Sequence, residues 1–272
     1  MTIAGNDPTG GAGLQADIET LASLGCHAAP ITTALTIQDT KSLHSFDPVS
    51  DTLVHNQIST VLKDINVSVI KIGTIAGVSQ VETIRHLLQD YPDIPVVMDP
   101  VLSAGGGGDF ADEQLCQQMK SLLFPFVSIL TPNSQEARRL GQNFNRNLNQ
   151  GSDNLNNCAQ QLIDRGIKYV LITGTHENTA AVNNRLYDAN GVVEISTWER
   201  LPDSYHGSGC TLATAIAAHL ALGCEPINAI RKAQKYTWQT LKHAYSIGQG
   251  QLIPNRMFQL FQSGRFNKGL DS

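Results

Sequence analysis

The sequence predicts an α/β fold of three layers: a central, mostly parallel sheet between two layers of helices, with an antiparallel hairpin at one edge. Three observations predict it. Short apolar runs that end at glycine, proline or a polar residue alternate with longer amphipathic stretches as far as residue 245, which is the βαβ rhythm of a parallel sheet. The 272 residues, 41% of them hydrophobic and 16% charged, suffice for one large core, so 1–272 is read as a single domain. Asn190-Gly191 separates two strand-like stretches, the signal of a tight antiparallel turn.

Taken in order, residues 1–4 form an apolar strand that breaks into Gly5-Asn6-Asp7-Pro8-Thr9-Gly10-Gly11-Ala12-Gly13, followed by a helical pattern at 14–24. Strand, glycine-rich loop, helix is the grammar of a ligand-binding loop, although no Lys follows the glycines as a P-loop would require. Residues 28–37 then read as a strand, 50–63 as a helix, 68–72 as a strand and 78–89 as a helix. The buried strand 94–98 stops at Asp99-Pro100, helix 115–123 leads to strand 127–130, and 133–140 is a short helix. Asn-rich 142–157 reads as a surface insertion. Helix 155–165, strand 168–173, the hairpin 180–188 with 192–198, and helices to about 222 and over 226–245 complete the chain. Open parallel sheets bind ligands at the C-terminal ends of their strands. Gln38, Asp99 and Asn133 stand at such ends.

Composition narrows the partners. The net charge of −5 comes without a basic block, so nucleic acid and anionic membranes have no electrostatic footing, and small molecules are expected instead. Five scattered cysteines without CxxC spacing argue against a disulfide framework or a structural zinc site. No run approaches the ~20 apolar residues that span a bilayer, and MTIAGNDPTGG lacks a basic n-region. A cytoplasmic location is expected.

Tyr205-His206-Gly207-Ser208-Gly209-Cys210-Thr211-Leu212 enters an Ala-rich helix. The backbone N–H groups of Gly207, Ser208, Gly209 and Cys210 should lie at its N-terminus, where partial positive charge favours an anion. A thiol in that first turn is expected to ionise more readily than a free one. A phosphoryl group and a candidate base, Cys210, could then meet at one spot.

The blocks AGNDPTGGAGLQAD, ALTIQDT, IKIGT, DPVLSAGGG, TPNSQEA, TGTH and HGSGC occur in this order. Together they resemble the ribokinase-like superfamily, and most closely the hydroxymethylpyrimidine and phosphomethylpyrimidine kinases of thiamine biosynthesis. Those enzymes typically read AGxDPSGGAGxQAD, ALTxQNT, IKIGM, DPVMxxKSG, TPNxxEA, KGGH and HGTGC. The resemblance covers almost the whole chain.

The resemblance implies a ribokinase-like α/β/α sandwich and transfer of the γ-phosphoryl of ATP, with Mg2+, to 4-amino-5-hydroxymethyl-2-methylpyrimidine and its monophosphate. Catalysis of this kind is mainly positioning and charge stabilisation. By the same resemblance Gly207, Ser208, Gly209 and Cys210 are catalytic, with Cys210 as base or substrate orienter. Gln38 reads the aminopyrimidine edge, and Gly11, Ala12, Asp17, Thr36, Thr74 and Val101 complete the substrate site. Gly11 and Ala12 are expected to let the flat ring lie close to the backbone. ATP falls to Asn133, Thr173, His206, Gly207 and Gly209, and the metal to Asp99 and Glu136, which acts through water. Asn133 and Glu136 also fit a plain helix cap. A homodimer is implied.

Two departures stand out. Thr173 replaces the Lys of KGGH, and Ser103-Ala104-Gly105-Gly106-Gly107-Gly108 lacks the Lys of DPVMxxKSG. His206, His176, magnesium or a second subunit would have to compensate. The four glycines predict a mobile loop over 103–110. Gly248-Gln249-Gly250 only partly matches a segment that in the family reaches a His. Two alternatives stay open: a pyridoxal-type kinase, and a catalytically weakened pyrimidine-binding paralogue.

Overall fold

The computed structural model describes residues 1–103, 110–141 and 152–259. The elements run β1 (Thr2–Asn6), α1 (Gly13–Ser23), β2 (Pro30–Gln38), β3 (Leu43–Pro48), α2 (Asp51–Asp64), β4 (Ile70–Ile72), α3 (Val78–Asp90), β5 (Val96–Met98) and α4 (Glu113–Leu122). They continue with β6 (Ile129–Leu130), α5 (Ser134–Gly141), α6 (Ser152–Ile163), β7 (Tyr169–Ile172), β8 (Ala181–Asp188), β9 (Gly191–Glu199), α7 (Ser208–Ala221) and α8 (Pro226–Lys242).

Among the described residues nine strands form one sheet in the order β3-β2-β1-β4-β5-β6-β7-β8-β9. Every pairing from β2 across to β7 is parallel, while β3 on one flank and β8 and β9 on the other are antiparallel. The central strands are short apolar runs because helices cover both of their faces. Successive residues divide between two cores: Ile70, Ile72, Val96, Met98, Leu130 and Val170 join the core under α2 to α6. Val69, Val97, Ile129 and Leu171 join the one under α7 and α8. Fully buried Ala213, Ala215 and Ala218 on α7 let that helix lie close to the sheet and to α1 and α8.

The expected hairpin is β8 with β9; it turns at Ala189 and Asn190, and Gly191 already pairs with Asp188. Strand β3 was not expected. It is a flank strand paired on one side only, with an exposed or half-exposed face at every residue, so it carries no apolar alternation to read. Helix α6 begins at Ser152, inside the expected insertion 142–157. Leu155, Cys158, Ala159 and Leu162 recur at helical spacing and are buried, while the asparagines lie between them; Asn156 Oδ1 accepts the Tyr187 hydroxyl at 2.8 Å. Residues 142–151 of that insertion, and 104–109 of the glycine loop expected to be mobile, lie outside the described residues.

Candidate active site

A cavity of roughly 530 Å³ opens at the C-terminal ends of the parallel strands. Asn6 and Asp7 reach it from β1, Thr36 and Gln38 from β2, Thr74 from beyond β4, Asp99 and Val101 from beyond β5, Asn133 and Glu136 from beyond β6, and Thr173 from beyond β7. The first turn of α7, from Gly207 to Cys210, lines the same space. This is the crevice an open α/β sheet offers to a ligand.

One end of the cavity is organised by Asp7. Its Oδ1 accepts the Thr9 N–H and hydroxyl, each at 2.8 Å, and its Oδ2 accepts the Ala12 N–H at 2.8 Å, an Asx turn that folds the glycine-rich loop around a single carboxylate. His206 Nε2 lies 2.8 Å from the same Oδ2, and the Gln38 amide nitrogen lies 3.4 Å from that ring nitrogen. Burial alone would raise the Asp7 carboxyl. Hydrogen bonds from His206, Gln38 and the Thr9 N–H outweigh it and bring it down to about 2. Thr36 pins the β1 end by donating its hydroxyl to the Asn6 carbonyl at 2.9 Å.

The other end is held by α7 and two acids. Gly207 caps α7 with φ of 83°, and a Cβ there would lie 2.0 Å from the Gly11 carbonyl oxygen, so both backbone conformation and contact demand glycine. The first-turn N–H groups beyond it have no intrahelical acceptors by helix geometry. Asp99 and Glu136 are 5% and 9% exposed. Burial, then the Asp99 charge, raises the Glu136 carboxyl to about 8; burial raises Asp99 to about 6, against the pull of Lys71 and a hydrogen bond from the Cys210 thiol. Two buried acids with raised pKa values are a site that a cation would stabilise.

Cys210 departs from expectation. Its thiol is pushed up to about 12, first by burial and also by Asp99 and Asp17, against Lys71 and the Gly13 N–H. The helix N-terminus favours a thiolate, but desolvation of a half-buried side chain at the cavity wall and two nearby carboxylates win. Cys210 is therefore a neutral thiol that donates to Asp99.

Beneath this end lies a buried ion pair. Lys71 Nζ donates to both oxygens of Asp17 at 2.9 Å, with the pair 1% and 0% exposed. Thr2 and, at 2.6 Å, Thr214 donate hydroxyls to the same carboxylate. Burial would lower the Lys71 pKa; the Asp17 carboxylate, and to a lesser degree Asp99, raise it instead, so the cation persists under the site. Among the described residues Arg200 is the only Arg or Lys lining the cavity. All three of its nitrogens donate to carbonyls, of Thr179, Thr175 and Glu177, at 2.9 Å each. Trp198 and Trp238, stacked 6.2 Å apart, line the far end.

The family model described as "Phosphomethylpyrimidine kinase" matches residues 7–255. The chain belongs to that family. It is 31% identical over 267 residues to a Staphylococcus aureus protein named hydroxymethylpyrimidine/phosphomethylpyrimidine kinase, covering 97% of this chain and 95% of the relative. It is 34% identical over 251 residues to the thiamine biosynthesis bifunctional protein ThiED of Geobacter sulfurreducens, covering 92% of this chain and half of the relative's length. An ADP complex of Bacillus subtilis pyridoxal kinase superposes with a TM-score of 0.85 at 26% identity, covering 95% of this chain and 97% of that one. The fold is ribokinase-like.

The cavity gathers most of the residues that the family motifs single out: Ala12, Thr36, Gln38, Thr74, Asp99, Val101, Asn133, Glu136, Thr173, His206, Gly207, Ser208, Gly209 and Cys210. Gly11 and Asp17 stand elsewhere. Gly11 is required because the His206 ring covers it; a Cβ there would lie 2.3 Å from His206 Cδ2 and 2.7 Å from Ile253 Cδ1, so a side chain occupies the place expected for the substrate ring. Asp17 is fully buried and bound to Lys71, which closes it off from the cavity. Asn133 and Glu136 form the reciprocal cap: Asn133 Oδ1 accepts the Gln135 and Glu136 N–H groups at 2.9 Å, and Glu136 Oε2 accepts the Asn133 N–H at 2.8 Å. Glu136 Oε1 meets the Leu102 N–H only at 3.4 Å. His206 lines the cavity and is held against Asp7 at the glycine-loop end. Asp7 itself went unread, although Asp-Pro-Thr-Gly is a turn signature.

Proposed function

We propose that this protein uses ATP and Mg2+ to phosphorylate 4-amino-5-hydroxymethyl-2-methylpyrimidine and its monophosphate, in thiamine biosynthesis, and that 1–272 acts as one kinase unit. The observation that carries this reading is the placement of Gln38 and the first turn of α7, with Cys210, on one cavity. An amide that both donates and accepts suits an aminopyrimidine edge, and a helix N-terminus suits a phosphoryl group. Family membership and the names of the two relatives support it.

The chain's own groups divide the work. Gln38, with Thr36, Thr74 and Val101 as walls, orients the ring so that its hydroxymethyl group faces α7. The hydroxymethyl oxygen attacks the γ-phosphorus, the bond to ADP breaks, and the hydroxyl proton must leave. The Cys210 sulfur takes that proton as its own moves to Asp99, so no free thiolate is needed. Ser208, Gly209 and Cys210 N–H groups meet the charge on the transferring group. Mg2+, held through water by Asp99 and Glu136, would supply further neutralisation of phosphate charge. Asn133 and Thr173 lie on the nucleotide side of the cavity.

Two alternatives have their own support. A pyridoxal-type kinase fits the likeness to a pyridoxal kinase and the hydroxyl of Thr74 where the family has Met. A weakened pyrimidine-binding paralogue fits the lack, among the described residues, of a free Arg or Lys lining the cavity, since Thr173 replaces Lys and Arg200 is fully engaged. Product masses after incubation with MgATP and each substrate decide among them. Phosphorylated pyrimidine is the expected result; turnover of pyridoxal alone, or binding of pyrimidine without product, would overturn the first reading. Half-exposed Leu35 and Ile37 on β2 are the apolar surface proposed to pair with a second copy. Among the described residues no helix is long and apolar enough to cross a membrane, and all five cysteines are free; a cytoplasmic location is proposed.

A further inference from the structure

We propose that Arg256 is a positioning residue that staples the glycine-rich loop, whose Asp7 and Ala12 line the cavity, to the first turns of α7, where the transferring phosphoryl group would be met, and so sets the spacing between the two ends of the site. The inference rests on the reading of the site given above. Arg256 lies outside every motif, in the segment Ile253-Pro254-Asn255-Arg256, yet its side chain is 0% exposed. The segment is tied to α8 by the Asn255 N–H on the Thr240 carbonyl at 2.9 Å and by the Tyr236 hydroxyl on the Arg256 carbonyl at 2.8 Å. From there the guanidinium reaches between the two loops.

Its donors are divided between the loops. On one side Nη2 donates to the Gly11 carbonyl and Nη1 to the Gly10 carbonyl at 3.4 Å. On the other, Nε donates to Thr211 Oγ1 at 3.0 Å, and the Thr211 hydroxyl in turn donates to the Gly207 carbonyl at 2.8 Å. The loops meet at that point: Gly207 lies so close to the Gly11 carbonyl that no side chain fits between them. A single carboxylate, Glu19, balances the charge at 3.0 Å and is itself 41% exposed. Burying a cation for packing alone would be a poor bargain, because an apolar residue of similar volume is often as stable. The rigid fork instead ties two consecutive carbonyls of the glycine-rich loop to the Thr211 hydroxyl of α7. In phosphoryl transfer between two held groups, about 1 Å of misplacement costs on the order of 100-fold in rate.

The test compares Arg256→Ala, Arg256→Lys and Thr211→Val with the wild-type full chain. Amide hydrogen exchange reads the staple without turnover: in Arg256→Ala, residues 9–13 and 207–211 should both exchange about tenfold faster while the central strands keep their protection. In turnover, kcat of Arg256→Ala should fall about 100-fold, with dissociation constants for pyrimidine and nucleotide little changed. Added guanidinium should restore part of that kcat, whereas Arg256→Lys, lacking the fork, should stay low. Thr211→Val keeps the Arg256–Glu19 pair and the side-chain shape; losing one relayed hydrogen bond should lower kcat about tenfold, and it carries the test if Arg256→Ala does not fold. Unchanged exchange in both segments, or wild-type kcat per folded site in both variants, overturns the inference. Absence of phosphorylated pyrimidine with the wild type would sink the functional reading instead, and exchange would still decide the staple.

Discussion

The two ends of the cavity are built on opposite electrostatic terms. At the glycine-loop end a single carboxylate, Asp7, is met by two backbone N–H groups, a hydroxyl and His206, and it sits well below the ordinary carboxylate range. At the α7 end burial holds Asp99 and Glu136 well above it, with Asp17 adding to the first and Asp99 to the second, and the Arg200 guanidinium is turned onto carbonyls. The first end is finished before any ligand arrives. The second is completed only by what binds there, which is how a site keeps its strongest interactions for the charge that develops during reaction.

That contrast can be broken most severely at Cys210. Cys210→Ala removes the thiol between the attacking oxygen and Asp99, and kcat should fall about 100- to 1000-fold with little change in pyrimidine affinity, measured by single-turnover phosphorylation; unchanged turnover would remove Cys210 from the chemistry. At the finished end Gln38→Ala should act on binding instead, raising the apparent KM for pyrimidine about tenfold while kcat holds. Equal effects of the two substitutions on KM and kcat would erase the distinction. Thr173→Lys returns a cation to the unfinished end and should raise kcat a few-fold, on the order of three- to tenfold, read in the same assay.

The smallest effect is on stability, and its sign differs between the ends. Glu136 keeps its proton to about pH 8 when folded, against 4.5 for an ordinary glutamate. The folded chain binds the extra proton, so this contribution is present at low pH and is lost as pH rises from about 4.5 to about 8. Asp7 does the reverse: with its folded value about 2 against 3.8, its contribution is present above pH 3.8 and lost as pH falls through about 2. Melting temperature should therefore decline toward pH 8, and Mg2+ should restore a few degrees there by binding the folded state. Glu136→Gln should flatten that decline; a slope left unchanged would refute the assignment.

Much of this was legible in the chain itself. The parallel strands and the hairpin follow from apolar runs and Asn190-Gly191, because burial on both faces leaves a continuous pattern. The residues that line the cavity follow from motifs at strand ends, since backbone geometry and ligand chemistry act within a few residues there. Strand β3 was hidden because a one-sided flank strand needs no alternation. Helix α6 was read from Leu155, and its first residues, 152–154, were left in the insertion because they are polar and carry no apolar spacing.

What only the tertiary structure decided is what each of those residues faces. From local position Cys210 should ionise readily, and the family resemblance implies that Asp17 and Gly11 touch substrate. Folding buries the thiol beside Asp99 and raises it to about 12, locks Asp17 onto Lys71 from 54 residues away, and lays His206 over Gly11. It also carries Arg256 into contact with Gly10 and Gly11, some 245 residues earlier in the chain. Sequence sets which groups are available and how each short segment bends. Charge state and partnership depend on desolvation and on neighbours brought together across the fold, and these are long-range quantities that no local pattern encodes.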